Sequence, residues 1–158
     1  MTNPAPDYMS PEETDVWIWQ FHRVWPSTLS EAARVLGEIV AELQRQGWSD
    51  RDIFSVQLAV EEALVNAIKH GNRSDVSKSV VTRCWLSSRL LRVEIADEGD
   101  GFDPDAVPDP TLPDRLEEPS GRGIMLMRTF MTRVTYNTKG NVVTLEKERS
   151  NAVDHDCT

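Results

Sequence analysis

The stretch Val80-Val-Thr-Arg-Cys-Trp-Leu-Ser-Ser-Arg-Leu-Leu-Arg-Val-Glu-Ile-Ala-Asp-Glu-Gly-Asp-Gly101 decides how this chain is read. Val80–Leu86 and Leu90–Ala96 are rich in β-branched and large apolar residues, and Ser87-Ser88 between them suits a tight turn. The two runs therefore read as an antiparallel hairpin. Its second strand opens directly onto an Asp- and Gly-rich turn, Asp97–Gly101.

Upstream, Ser49-Asp-Arg-Asp52 carries a capping residue and first-turn acids. Ile53, Val56, Val60, Ala63 and Ala67 then mark one face of a helix that runs to about His70, where Gly71-Asn72 ends it. Before it, Ala33, Leu36, Val40 and Leu43 repeat at helical spacing from Ser30, and Gly47 suits the stop. Val16–Val24 is rich in β-formers and reads as a first strand, ended by Pro26. Downstream, residues 103–120 hold five prolines and many acids, the composition of a functional lid or a disordered loop. Gly123–Met131 has helical spacing, and Val134–Tyr136 with Val142–Glu146 forms a last hairpin across Thr138–Asn141. Hairpins separated by helices argue for a two-layer α/β sandwich, a mostly antiparallel sheet covered on one face, rather than a doubly wound parallel sheet. Residues 1–14 read as a flexible lead, 15–148 as one domain and 149–158 as a disordered tail.

Composition narrows the function class. A net charge of −9 argues against nucleic-acid binding, which needs clustered Lys and Arg. No apolar run is long enough to span a membrane, and the first residues lack the basic-then-apolar order of a signal peptide, so the expected location is the cytoplasm. Cys84 and Cys157 suggest no disulfide framework; Cys84 reads as a buried small hydrophobe. Trp17, Trp19 and Trp25 on the first strand read as core.

Three polar patterns remain. Glu62, Asn66 and His70 fall at i, i+4 and i+8 on one helical stripe. Asn is a mediocre residue for a helix interior, but its amide oxygen suits magnesium, and Glu62 one turn away suits proton acceptance. Asp97-Glu-Gly-Asp-Gly-Phe102 permits a tight turn, close backbone approach and acceptance from an exocyclic amine. Ser120-Gly-Arg-Gly-Ile124 opens a helix whose free amides suit phosphate. Each has a plain structural reading as well: a solvated helix face, an ordinary Asp-rich turn, a flexible loop closure.

Taken in this order, the three patterns closely resemble the N, G1 and G2 boxes of the GHKL, or Bergerat, ATPase superfamily. Glu62-x-x-x-Asn66-x-x-Lys69-His70-Gly71 is similar to the N box, Asp97-x-Gly99-x-Gly101-Phe102 to G1, and Gly121-x-Gly123-Ile124 to G2. The resemblance spans about residues 16–148. Its nearest form is the anti-sigma-factor serine/threonine kinase branch, since no phospho-acceptor His helix precedes the domain and the helix Gly-Ile-Met-Leu-Met-Arg-Thr-Phe-Met131 follows that branch's pattern.

The resemblance implies ATP and magnesium as ligands, with Asn66 on the metal, Glu62 as general base and Asp97 on the adenine amine. It implies that Gly101 supports the adenine pocket, that Gly121 and Gly123 meet the phosphates, and that Lys69, His70, Gly99, Phe102, Arg122 and Ile124 belong to the nucleotide site. It implies further a STAS-type anti-anti-sigma protein as substrate, a sigma factor as sequestered partner, and dimerisation through the first strand and helix. Where some members of the branch carry a basic residue before the G2 glycines, this chain has Glu118-Pro119-Ser120, which leaves Arg122 or Arg115 to substitute. That departure keeps a second class of function open: a non-catalytic module whose partner affinity is switched by ATP.

Overall fold

The computed structural model describes residues 16–101, 103 and 121–151; the lead 1–14, all of the 103–120 segment but Asp103, and Cys157 lie outside the described residues. The elements run β1 (Trp19–Pro26), α1 (Leu29–Arg45), α2 (Asp50–Asn66), a π turn (Ala67–Gly71), β2 (Ser79–Leu86), β3 (Leu90–Ala96), α3 (Gly121–Phe130), β4 (Arg133–Tyr136) and β5 (Val142–Glu148). The strands form one sheet in the order β1-β2-β3-β5-β4, antiparallel at every pairing. The expected two-layer sandwich is present.

Strand alternation sorts the sheet into two faces. One register row carries Phe21, Cys84, Val93, Leu145 and Val134 across all five strands, and these residues belong to the core or pack against it. On the neighbouring rows Arg83 meets Glu94, and Glu146 meets both Arg92 and Arg133. The helices therefore cover the apolar face. Cys84 is fully buried, and burial pushes its thiol far above the ordinary range, as expected of a cysteine that packs as a small hydrophobe.

Both long helices start where the capping residues stand. Thr28 accepts from the Glu31 amide at 3.3 Å and Ser49 from the Asp52 amide at 3.1 Å; such caps contribute about 1 kcal/mol each. On α2 the expected face, Ile53, Val56, Val60, Ala63 and Ala67, is buried. On α1 the expected phase is off by one residue. The buried set is Ala32, Val35, Ile39 and Leu43, while Ala33 is exposed and Leu36 and Val40 are only partly buried. Adjacent apolar pairs, Val35-Leu36 and Ile39-Val40, give two stripes one residue apart, and packing chooses between them.

β1 begins at Trp19 rather than Val16. Trp25 is core and donates its indole N–H to Thr82 Oγ1 at 3.0 Å, and Trp19 packs against the core. Trp17 departs from the core reading: the Arg92 guanidinium lies 5.6 Å from its ring centroid, on the polar face of the sheet.

At the end of the sheet where β2 turns into β3, the chain after β5 is fastened down. Arg149 donates to Gly47 O and Ser88 O, and Ser150 donates twice to the Asp52 carboxylate. The opposite end gathers the C-terminus of α2, the end of β3 and the start of α3.

Candidate functional site

The helix α2 does not run regularly to His70. It ends at Asn66 and passes into the π turn, closed by the Asn72 amide donating to Ala67 O at 2.9 Å. Single π turns occur often at functional sites, where the wider turn re-aims the side chains beyond it. Glu62 and Asn66 keep their one-turn spacing within α2, but His70 belongs to the wider turn and leaves the expected i+8 stripe.

Glu62 lies against the start of α3. A Cβ at Gly123 would stand 2.6 Å from Glu62 Oε2, so glycine there lets the helix begin on top of the carboxylate. Asn66 Nδ2 and His70 Nδ1 are buried and have no hydrogen-bond partner among the described residues. Buried polar atoms are nearly always paired, and an unpaired one costs about 1–3 kcal/mol. Rotation of the Asn66 amide exchanges nitrogen for oxygen, so the same pocket can present an oxygen. With the Glu62 carboxylate nearby, that donor chemistry fits a hard cation such as magnesium.

Asp97 follows β3 into a turn packed directly on the π segment. Its carboxylate accepts from the Gly99 amide at 2.8 Å. A Cβ at Gly71 would lie 2.2 Å from Asp97 Cγ, and one at Gly99 would lie 2.2 Å from Gly71 O. Burial pushes the Asp97 carboxyl up to about 6, partly opposed by the Gly99 amide and by Lys139 and Lys78. Gly101, at φ +83°, stands where a Cβ would fall 1.8 Å from Lys139 O; only glycine tolerates both the left-handed backbone and that approach.

The β4–β5 turn holds the Asp97 turn from the other side. Asn141 accepts the Asp97 amide through its backbone oxygen at 3.0 Å and donates from Nδ2 to Asp97 O at 3.2 Å. That turn is itself organised by Asn137 Oδ1, which accepts the amides of Gly140, Asn141 and Val142.

The fold thus brings Glu62 to Gly123, and Asp97 and Gly99 to Gly71. Gly121 opens α3, a position whose amides can receive an anion. Lys69 and Arg122 are exposed, and the Ile124 side chain is in the core. Phe102 lies outside the described residues. Sequence reasoning missed Asn72, Lys139, Asn141 and Tyr136. Burial raises the Tyr136 hydroxyl to about 12, with Arg128 opposing and Glu62 and Asp97 adding to the rise, so its phenol sits in the field of both acids and keeps its proton. The Asn-x-x-x-Asn spacing at 137 and 141 was the one available signal.

The model of the histidine kinase-like ATPase domain family matches residues 25–147. The serine-protein kinase RsbW of Bacillus subtilis is 36% identical over 124 residues, covering 72% of this chain and 76% of that protein. An anti-sigma F factor of a Thermoanaerobacter species is 31% identical over 101 residues, covering 61% of this chain and 70% of that protein. The crystal structure of the RsbU and RsbW domains of a Mycobacterium tuberculosis protein shares the fold, with a TM-score of 0.58 at 19% identity over 85% of this chain, which spans 34% of that longer one. The chain therefore belongs to the histidine kinase-like ATPase domain family, on the branch of its RsbW and anti-sigma F relatives.

Proposed function

We propose that this chain is an ATP- and magnesium-dependent serine/threonine kinase acting in the cytoplasm as an anti-sigma regulator, and that its acceptor is a STAS-type anti-anti-sigma protein. The observation that carries the proposal is the meeting of Glu62 with Gly123 at the mouth of α3, one turn from Asn66, whose Nδ2 is buried and unpartnered among the described residues. A proton acceptor, a cation ligand and a phosphate-binding helix start are then neighbours. The RsbW relatives, named serine-protein kinases, support the same reading.

In this reading the Asp97 carboxylate accepts from the adenine amine, and Gly101 supports the base pocket. The amides at Gly121–Gly123 receive the phosphates, and Asn66 holds magnesium, which neutralises phosphate charge when bound. Glu62 orients the acceptor hydroxyl and takes its proton. The bond from acceptor oxygen to γ-phosphorus forms as the bond to the β-phosphate oxygen breaks, and ADP leaves. Such transfer depends mainly on positioning and charge, which is what these residues supply. By the same family reading a sigma factor is the sequestered partner, and two copies of the chain pair through β1 and α1.

The test is transfer of labelled phosphate to the cognate STAS-type protein, with nucleotide binding measured alongside. Glu62→Ala keeps ATP affinity and loses transfer by about 10²–10⁴-fold, the usual contribution of a general base. Asn66→Ala and Asp97→Asn lose magnesium-ATP affinity; unchanged affinity in both would sink the site. A parent protein that binds ATP but leaves the STAS-type protein unlabelled is a switch and not a kinase.

A further inference from the structure

We infer that Asn72 is a positioning residue for base selection, fixing the Asp97 turn against the helix that carries Glu62 and Asn66. The inference rests on the nucleotide reading above and goes beyond the three sequence motifs.

Asn72 is fully buried, at 0% exposure. Its side chain makes three bonds to three separate parts of the fold. Oδ1 accepts the Glu98 amide at 2.8 Å, while Nδ2 donates to Ser27 Oγ at 2.8 Å and to Ser79 O at 3.0 Å. Its own amide closes the π turn on Ala67 O, and its carbonyl accepts the Asp75 amide. Ser27 Oγ passes the chain on to Lys78 O at 2.7 Å. A side-chain amide offers two donors and an acceptor, and here each is used.

The bonds to Ser27 and Ser79 join the end of β1 and the start of β2 to the π turn. They would suffice for an asparagine with a purely structural role. The bond to Glu98 does something else. β3 ends at Ala96, so the Glu98 amide belongs to the turn that aims Asp97, and Asn72 ties it to the same backbone whose Gly71 touches the Asp97 carboxylate. Beside the Ser79 amide on the Glu98 carboxylate and the packing of Gly71 on Asp97, Asn72 is the side chain that ties the turn of the base end to the π segment next to Asn66. Removing that side chain takes their Asn72 partner from Glu98 N–H, Ser79 O and Ser27 Oγ, and loosens the turn from the π segment while Asn141 still holds its other side.

The experiment compares ATP with GTP. Guanine carries a carbonyl where adenine carries its amine, so preference between them reads where the Asp97 carboxylate stands. In Asn72→Ala the ATP-over-GTP preference falls about tenfold, the loss expected when one charge-assisted contact goes out of place, while GTP affinity holds. A structural role alone would lower both affinities in proportion, and that outcome overturns the inference, as does an unchanged preference. Should Asn72→Ala fail to fold, Ser27→Ala removes one acceptor from the same amide. It is expected to lower the preference by about twofold, as half-release of a single hydrogen bond implies; equal loss for ATP and GTP again overturns the proposal. A parent protein without ATP preference instead overturns the adenine reading of Asp97 itself.

Discussion

At the Asp97 end of the site the turn is held by its own fold, whereas at the Asn66–His70 end two buried nitrogens are left unpartnered among the described residues. The Asp97 turn is gripped by Asn72 on one side and Asn141 on the other, with Gly71, Gly99 and Gly101 packed to backbone contact. Asn66 Nδ2 and His70 Nδ1 have burial without a hydrogen bond among the described residues. A preorganised polar site costs little to occupy, because its groups do not have to be reordered. An unsatisfied one gains when a ligand arrives, because a standing penalty is removed. On the proposed reading the Asp97 end serves selection of the base, and the Asn66 end supplies binding energy that appears with the nucleotide.

The contrast between the two ends can be broken at three points. The largest effect is expected from Gly123→Ala. The added Cβ meets the far end of the flexible Glu62 side chain, so the carboxylate swings aside while the helices stay packed. Phosphate transfer should fall by about 10²-fold, the low end of a general base's contribution, with a smaller loss of ATP affinity. Equal losses in both would mean that the phosphate end is as rigidly built as the base end.

Gly71→Ala attacks the base end. The Cβ takes the place of the Asp97 carboxylate, which must leave its bond to Gly99. ATP affinity should drop roughly tenfold to a hundredfold, the value of one charge-assisted hydrogen bond. Calorimetric titration decides it, and full affinity in a folded variant would show that the turn is not rigid.

The smallest effect is one of pH. Asp97 must be ionised to accept from an amine, and its carboxyl is raised to about 6. ATP affinity should therefore weaken severalfold between pH 7 and pH 5.5, while Asp97→Asn shows a flat profile. In the protein without nucleotide the sign reverses. A carboxyl that holds its proton more tightly folded than unfolded contributes stability at low pH, and that contribution is lost as pH rises from the ordinary aspartate value of 3.8 through about 6. Thermal unfolding with and without ATP across this range separates the two signs.

The sheet and α2 were legible because their patterns admit one period. Ile53, Val56, Val60, Ala63 and Ala67 fit 3.6 residues per turn and no other spacing, and the Val80–Ala96 hairpin alternates around a single turn. α1 was legible as a helix but not in phase, since Val35-Leu36 and Ile39-Val40 support either of two faces. The glycines of the site were visible as motifs, but what they approach was not. Gly71 against Asp97, and Gly101 against Lys139, join residues brought close only by the sheet. Asn72 looked like a helix stop because its partners, Ser27 and Glu98, stand 45 and 26 residues away.

The π turn has a consequence for how this site can vary by mutation. A helix advances about 100° per residue, so one residue more or less between Ala67 and Gly71 would rotate Gly71 and Asn72 away from the Asp97 turn while leaving Glu62 and Asn66 where they are. Substitutions alter one contact at a time and can be compensated nearby, but a single-residue deletion here would uncouple base recognition from phosphate binding in one step. Beside the glycine at position 71, length is what this segment has to preserve.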